Sequence, residues 1–311
     1  MPKLDKGNIK KMFGITVDKE NDTVIYNDEQ HCYLSKKDGS KYISVTTLIH
    51  QYAQPYDSNF WSSYKACEAL LGNNFYDLKK KLLSNKIWKA SYLDEYMIDP
   101  EKFNIKKQEI LDSYKLKNRE ACDRGSKIHS ELENLFYDND AKHIRKYAGG
   151  GNFDIKKGDY RLDIDRAIFP EFLISYEFDE YLKISGQVDL LIIDENDVVI
   201  RDWKTNNKID MESYYDRTTK TRQMMKYPLS NIQDTNYWHY VLQLSTYAYL
   251  LEKIKPSLKI KHLYINHFDH DGNETEYECP YLKDDVIKML LHYRKENKKK
   301  LELDKDKPII F

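Results

Sequence analysis

Two acidic residues and a lysine lie in two neighbouring apolar segments of the sequence. Asp189 follows Gly186 in ISGQVDLLIIDEND, and Asp202 and Lys204 end the next segment, VVIRDWKTNN. If the turn between the segments lies at residues 194–197, antiparallel pairing in a β-hairpin places Asp189 near Asp202. Residues two apart on a strand share a face, so Lys204 points to the same side as Asp202.

This arrangement predicts a site for a divalent cation. Opposed carboxylates repel each other and raise the pKa of one of them, and a cation removes that repulsion. Mg²⁺ prefers oxygen ligands and binds substrate phosphates, and Mn²⁺ should substitute for it. Lys204 could orient a water molecule, accept its proton or stabilise charge on a phosphate. The alternative is a surface hairpin with a cross-strand ion pair, the usual meaning of an isolated Asp-x-Lys.

The rest of the sequence predicts a mixed α/β fold, in which a central β-sheet is flanked by helices. The sequence predicts that residues 1–55 form β-strands that pack on the core. It predicts that residues 56–145 form a helical insertion before the two strands that carry Asp189, Asp202 and Lys204. The glycine-rich stretch YAGGGNFD (residues 147–154) marks the break at the start of the predicted core, residues 146–311. The helix that carries His129 is assigned to this core.

Overall charge limits the range of partners. The 311 residues include 50 Lys and Arg and 51 Asp and Glu, for a formal net charge of −1. This balance argues against strong, unselective binding to duplex DNA. No apolar run reaches the length of about 18 residues needed for a membrane span, and no signal peptide is evident. We therefore expect a cytoplasmic protein that has no membrane partner.

The stretch GQVDLLIIDENDVVIRDWKT resembles the core of the PD-(D/E)xK nuclease superfamily, in its RecB-like exonuclease branch. The resemblance implies a restriction-endonuclease-like core and a metal-dependent phosphodiesterase activity. It implies that Asp189, Asp202 and the backbone carbonyl of Trp203 bind the metal. Lys204 would be the catalytic lysine.

Two residues before the hairpin extend the resemblance. His129 follows the pair Arg124-Gly125 in DRGSKIHSELENLF, and the family pattern implies that this histidine binds the metal. Arg124 is assigned to DNA binding. A glutamate on the preceding strand is implied to be catalytic, and Glu177 fits better than its rival Glu180. A lone histidine early in an amphipathic helix is otherwise usually a cap or a surface residue.

A helix after the hairpin supplies the next match. Gln243 and Tyr247 in QLSTYAYLLE lie four residues apart and thus on one helical face. The resemblance implies that this face lies beside the active site and helps to hold DNA. The alternative is an amphipathic core helix with a tyrosine at its edge. The N-terminal stretch HCYLSKKDGSKYISVTTLI is also similar to the mitochondrial genome maintenance exonuclease and to phage exonucleases of this branch.

Several nucleases of the branch carry an iron–sulfur cluster held by four cysteines. This chain has Cys32, Cys67, Cys122 and Cys279, and Cys279 stands alone near the C-terminus. Since four thiolates are needed for such a cluster, we expect no iron–sulfur cluster.

Together these features predict a Mg²⁺-dependent DNA exonuclease that acts on single-stranded DNA or DNA ends. By resemblance, it would serve phage-type replication or recombination, with a recombination or replication protein as a further partner. The alternatives are an endonuclease of a recombination or packaging complex, and a catalytically silent DNA-binding module. Five aromatic residues of the insertion could stack on unpaired bases or form a core: Trp61, Tyr64, Phe75, Trp88 and Tyr92.

Overall fold

The computed structural model describes residues 17–27, 29–216 and 220–305. The predicted N-terminal segment thus begins with 16 residues outside the described part. The helices are, in chain order, α1 (Val45–His50), α2 (Ser58–Leu71), α3 (Tyr76–Asn85), α4 (Ser91–Glu95), α5 (Pro100–Tyr137), α6 (Ala141–Ala148), α7 (Asn236–Ile254) and α8 (Lys283–Lys305). The strands are β1 (Lys19–Glu20), β2 (Val24–Asn27), β3 (Cys32–Ser35), β4 (Lys41–Ser44), β5 (Asp154–Ile155), β6 (Arg166–Asp179), β7 (Leu182–Asp194), β8 (Asp197–Lys204), β9 (Tyr215–Asp216), β10 (Thr221–Arg222), β11 (Lys259–Phe268) and β12 (Glu274–Glu278).

The chain forms two compact units. The first contains Met1–Gln54 and Lys127–Phe311, and the second contains Pro55–Ser126. The second unit therefore overlaps the predicted insertion, but residues 127–145 belong with the first unit. Within the described residues, no helix is both long and apolar enough to cross a membrane.

The second unit is helical, with an aromatic core of its own. Tyr64, Phe75 and Tyr92 are buried in this core, and Trp61 and Trp88 pack against it. These are the five residues considered for base stacking. Their packing supports the alternative interpretation, in which they stabilise the unit.

The first unit is built on a mixed β-sheet. Its strand order is β1-β2-β3-β4-β7-β8-β11-β12, and β6 pairs with both β5 and β7. The β6–β7 and β7–β8 pairs are antiparallel, whereas β8 and β11 are parallel. Helix α7 packs on one face of the sheet, and the C-terminal part of α5 packs on the other. The predicted fold class, a mixed sheet flanked by helices, is confirmed.

The β7–β8 hairpin has the register that the sequence predicts. Asp194 pairs with Asp197 across a two-residue turn, and Leu190 pairs with Arg201. One further step along the same register brings Asp189 opposite Asp202. The hairpin therefore places both acids at the end where its pairing stops.

The alternation of buried residues shifts in the strands that carry the site. Phe169 and Phe172 of β6 belong to one buried cluster although they are three residues apart. Residues on one face of a regular strand are an even number apart, so the strand must shift its alternation between them. Glu171 lies at this shift, with a left-handed φ of 54°, and β7 makes a comparable shift at Asp189. As a result, the side chains of Glu171 and Asp189 do not follow the regular alternation between the two faces of the sheet.

Candidate active site

Three side chains from three elements converge at the irregular part of the sheet. His129 comes from α5, Glu171 from β6 and Asp189 from β7, and one potential ligand atom of each lies within 4.8 Å of the others. Nδ1 of His129 is 3.7 Å from Oε1 of Glu171 and 3.6 Å from Oδ1 of Asp189. Both carboxylates are buried.

The backbone of Trp203 links this cluster to β8. Its N–H donates to Oδ2 of Asp189 at 2.6 Å, and its carbonyl oxygen lies 3.1 Å from Nε2 of His129. Burial lowers the pKa of His129, but the charges of Asp189 and Glu171 outweigh burial and raise that pKa to about 9. The protonated ring can therefore donate from Nε2 to the carbonyl of Trp203.

Asp202 and Lys204 form a buried ion pair beside the cluster. Oδ2 of Asp202 lies 2.5 Å from Nζ of Lys204, and Nζ lies 4.7 Å from the ring centroid of Tyr240. Gln243 donates to the other oxygen, Oδ1, at 3.1 Å. Burial raises the pKa of Asp202, and the charge of Asp189 adds to this effect while Lys204 opposes it. Burial lowers the pKa of Lys204, but the negative charges of Asp202 and Asp189 outweigh burial. The pKa of Lys204 is therefore raised overall, and its amine stays charged.

The cluster fits a divalent cation. Oε1 of Glu171 is buried and has no hydrogen-bond partner among the described residues, although an unsatisfied buried carboxylate oxygen is destabilising. Carboxylate oxygens together with an imidazole suit Mg²⁺ and Mn²⁺. A cation would replace the histidine proton as the positive charge between the two acids.

Comparison with known proteins identifies the family. Residues 47–303 match the profile of the PD-(D/E)XK nuclease superfamily. The chain belongs to this superfamily. Its members are nucleases that use divalent metal ions, so this PD-(D/E)XK protein is assigned to the hydrolytic nucleases, with DNA as the substrate class.

Two solved structures show a weak similarity to the chain. One is the crystal structure titled SSO0001, which is 13% identical with a TM-score of 0.32; the match covers 81% of this chain and 74% of that one. Another is a candidate exonuclease from Eubacterium rectale, 12% identical with a TM-score of 0.30, covering 83% and 79%. Values this low support no assignment, and the superfamily membership rests on the profile match alone. No curated protein matches the chain.

The glutamate predicted for the PD-(D/E)XK site lies elsewhere. Glu177 pairs with Lys183 at 3.1 Å and accepts a hydrogen bond from Tyr42 at 3.2 Å. It is six residues beyond Glu171, about 20 Å along the strand, and its rival Glu180 is farther still. The structure places Glu171 in the cluster instead, because the shift in β6 turns that residue towards His129.

The two residues of α7 predicted to contact DNA are buried behind Asp202. Gln243 donates to Asp202, and its Nε2 also lies 3.3 Å from the hydroxyl oxygen of Tyr247. A Cβ atom on Gly186 would lie only 2.6 Å from Cε1 of Tyr247, so glycine is needed for this close approach. The helix therefore supports the acid from inside the protein.

Arg124 is the remaining predicted site residue. It lies on α5 within the second unit and is half-buried. Its assignment to DNA binding stays a prediction.

Proposed function

We propose that the chain is a Mg²⁺-dependent deoxyribonuclease of the RecB-like branch that hydrolyses DNA phosphodiester bonds. The observation that carries this proposal is the group of His129, Glu171 and Asp189, in which both carboxylates are buried and Oε1 of Glu171 has no hydrogen-bond partner among the described residues. The charged pair of Asp202 and Lys204 lies directly beside it. A surface ion pair, the alternative interpretation of Asp-x-Lys, would need none of this buried surrounding structure.

The side chains of the site divide into ligands and a donor. Glu171, Asp189 and His129 would hold the cation, with Asp202 and the carbonyl of Trp203 at its border. When bound, such a cation supplies positive charge that stabilises a phosphate in the transition state. Two carboxylates hold Lys204 protonated, so we assign it as a donor that orients the attacking water or the phosphate.

Gln243 and Tyr247 serve this site as positioning residues in the proposal. The amide of Gln243 fixes one oxygen of Asp202, which leaves the other oxygen facing Lys204. Tyr247 packs against Gly186 and limits the movement of Gln243. Direct contact of these two side chains with DNA is not part of the proposal, because both are buried.

For the substrate, we propose single-stranded DNA or DNA ends and exonucleolytic cleavage, in phage-type replication or recombination. This part depends on the resemblance of the catalytic stretch and the N-terminal strands to exonucleases. With the aromatic residues of the second unit committed largely to its core, the surface tyrosines Tyr56 and Tyr76 are the better candidates for stacking on bases.

The test uses end-labelled single-stranded and duplex DNA with Mg²⁺ or with EDTA. The unaltered protein should cleave only with Mg²⁺, and Lys204→Ala should lower the rate by about 10²–10³-fold, as expected when one electrostatic donor is removed. Lys208→Ala is the matched control, because Lys208 lies four residues later in an exposed ion pair with Asp210. Equal cleavage by the unaltered protein and Lys204→Ala would contradict the proposal.

Circular single-stranded DNA separates the two modes of cleavage. An exonuclease spares a closed circle and degrades the same circle once it has been cut. Cleavage of the intact circle at the rate of the linear form would replace the exonuclease proposal with the endonuclease alternative.

A further inference from the structure

The antiparallel β1–β2 hairpin, called the N-terminal hairpin below, brings a second lysine to the cluster of His129, Glu171 and Asp189. Nζ of Lys19, on β1, lies 3.3 Å from Oε2 of Glu171. The two residues are 152 positions apart in the sequence. Lys204 is paired with Asp202 at the same site, so each of these two buried carboxylates has its own lysine.

Lys19 is held in place by the hairpin and by β6. It pairs with Tyr26 of β2 in the ladder. Two positions later, the side-chain amide of Asn21 donates to the carbonyl of Leu173 and to Oγ of Ser175, both at 3.1 Å. These contacts fasten the end of β1 to β6 close to Glu171. The amine therefore reaches the carboxylate from a fixed backbone position.

The contact determines which oxygen of Glu171 faces the cluster. Oε2 is occupied by Lys19, whereas Oε1 lies 3.7 Å from Nδ1 of His129 and has no hydrogen-bond partner within the described residues. The last torsion of a glutamate side chain is broad and has little intrinsic preference. Without an anchor on one oxygen, that torsion would be free to turn both oxygens away from the ligand position.

We propose that Lys19 is a positioning residue that aims Oε1 of Glu171 at the divalent cation. The inference rests on the proposed function, since it assumes that the cluster binds a cation. Two opposite effects of Lys19 can be separated by experiment. A positioning lysine strengthens cation binding because it orders a ligand, whereas a lysine that acts only through its charge weakens binding by repulsion.

The experiment measures Mn²⁺ binding to the whole chain by calorimetry, without DNA. Lys19→Met should weaken binding by about 10-fold, the lower end of the range for partners that orient metal ligands. Lys19→Arg keeps a donor and should restore most of the affinity. Lys37→Met is the matched control, because Lys37 is an exposed lysine of the same N-terminal region.

The outcomes separate the two proposals. If the unaltered protein shows no saturable Mn²⁺ site, the proposed function fails and this inference fails with it. If the unaltered protein binds Mn²⁺ and Lys19→Met binds it as tightly or more tightly, only the inference about Lys19 is overturned. Circular dichroism checks folding, and Lys19→Gln decides the question if the methionine variant does not fold.

Discussion

Strand β6 carries two glutamates that each meet a lysine, in two very different surroundings. Glu177 pairs with Lys183 and accepts from Tyr42, and its side chain is 37% exposed. The side chain of Glu171 is only 9% exposed and pairs with Lys19. One oxygen of Glu171 has no hydrogen-bond partner among the described residues and faces His129.

From this difference we propose a structural role for Glu177 and a metal-binding role for Glu171. A buried acceptor without a partner costs about 1–3 kcal/mol, and a fold has no structural reason to keep it. The cost is understandable if a cation completes the site. Both oxygens of Glu177 have partners, and its side chain is accessible to water. Its contacts within the fold therefore account for this residue without a metal ion.

The largest effect is expected at Asp189, which contacts both His129 and the backbone N–H of Trp203. Asp189→Asn removes the charge but keeps an acceptor for the N–H of Trp203. Cleavage of labelled DNA with Mg²⁺ should fall by about 10³-fold, the upper end of the loss for one electrostatic group. A variant that retained a tenth of the unaltered rate would show that the cluster is not the catalytic centre.

The next largest effect is expected at Glu171, and Glu177 serves as the comparison. Glu171→Gln should lower the cleavage rate by about 10²-fold, because an amide is a poor ligand for Mg²⁺. Glu177→Gln should leave the rate unchanged and reduce the free energy of unfolding by about 0–1 kcal/mol, as for other partly exposed ion pairs. The reverse ranking in the same nuclease assay would restore Glu177 as the site residue.

A smaller effect is expected from the support behind Asp202. Gln243→Leu has a similar volume but leaves Oδ1 of Asp202 without its donor. Cleavage should fall by about 10-fold, in line with other residues that orient metal-site ligands. If cleavage is unchanged while the free energy of unfolding falls, Gln243 contributes only to packing and does not orient the carboxylate of Asp202.

The smallest effect is structural and concerns Gly186. Gly186→Ala forces a methyl group against Tyr247 and should lower the free energy of unfolding by about 1–3 kcal/mol, as for other overpacked cores. Gly150→Ala is the control, since a Cβ atom there has no neighbour within 4 Å. Urea unfolding measures both variants, and equal stability of the two would mean that Tyr247 moves aside freely.

Local rules were enough to predict how half of the residues of the candidate site are arranged. A two-residue turn fixes the register of a hairpin, so counting back from residues 194–197 was sufficient to bring Asp189 opposite Asp202. The spacing of two placed Lys204 beside Asp202 for the same reason. The position of Gln243 beside the site followed from the helical spacing and the resemblance, but its burial did not.

The other half depends on irregular or distant contacts. Regular alternation gives no reason to choose Glu171 over Glu177, and the choice is made by the shift in β6. A signal was present, because the apolar residues of FPEFL and QVDLL change their alternation at the acidic residue in each case. Lys19 reaches Glu171 across 152 positions, and no spacing rule applies over that distance.

Anomalous diffraction from crystals soaked with Mn²⁺ would show directly whether the cluster binds a cation. We expect an ion within about 2.1 Å of a carboxylate oxygen of Glu171 and of Asp189, with His129 in contact. An ion bound at Glu177, or the absence of any ion at the cluster in crystals that hold Mn²⁺ elsewhere, would contradict this expectation.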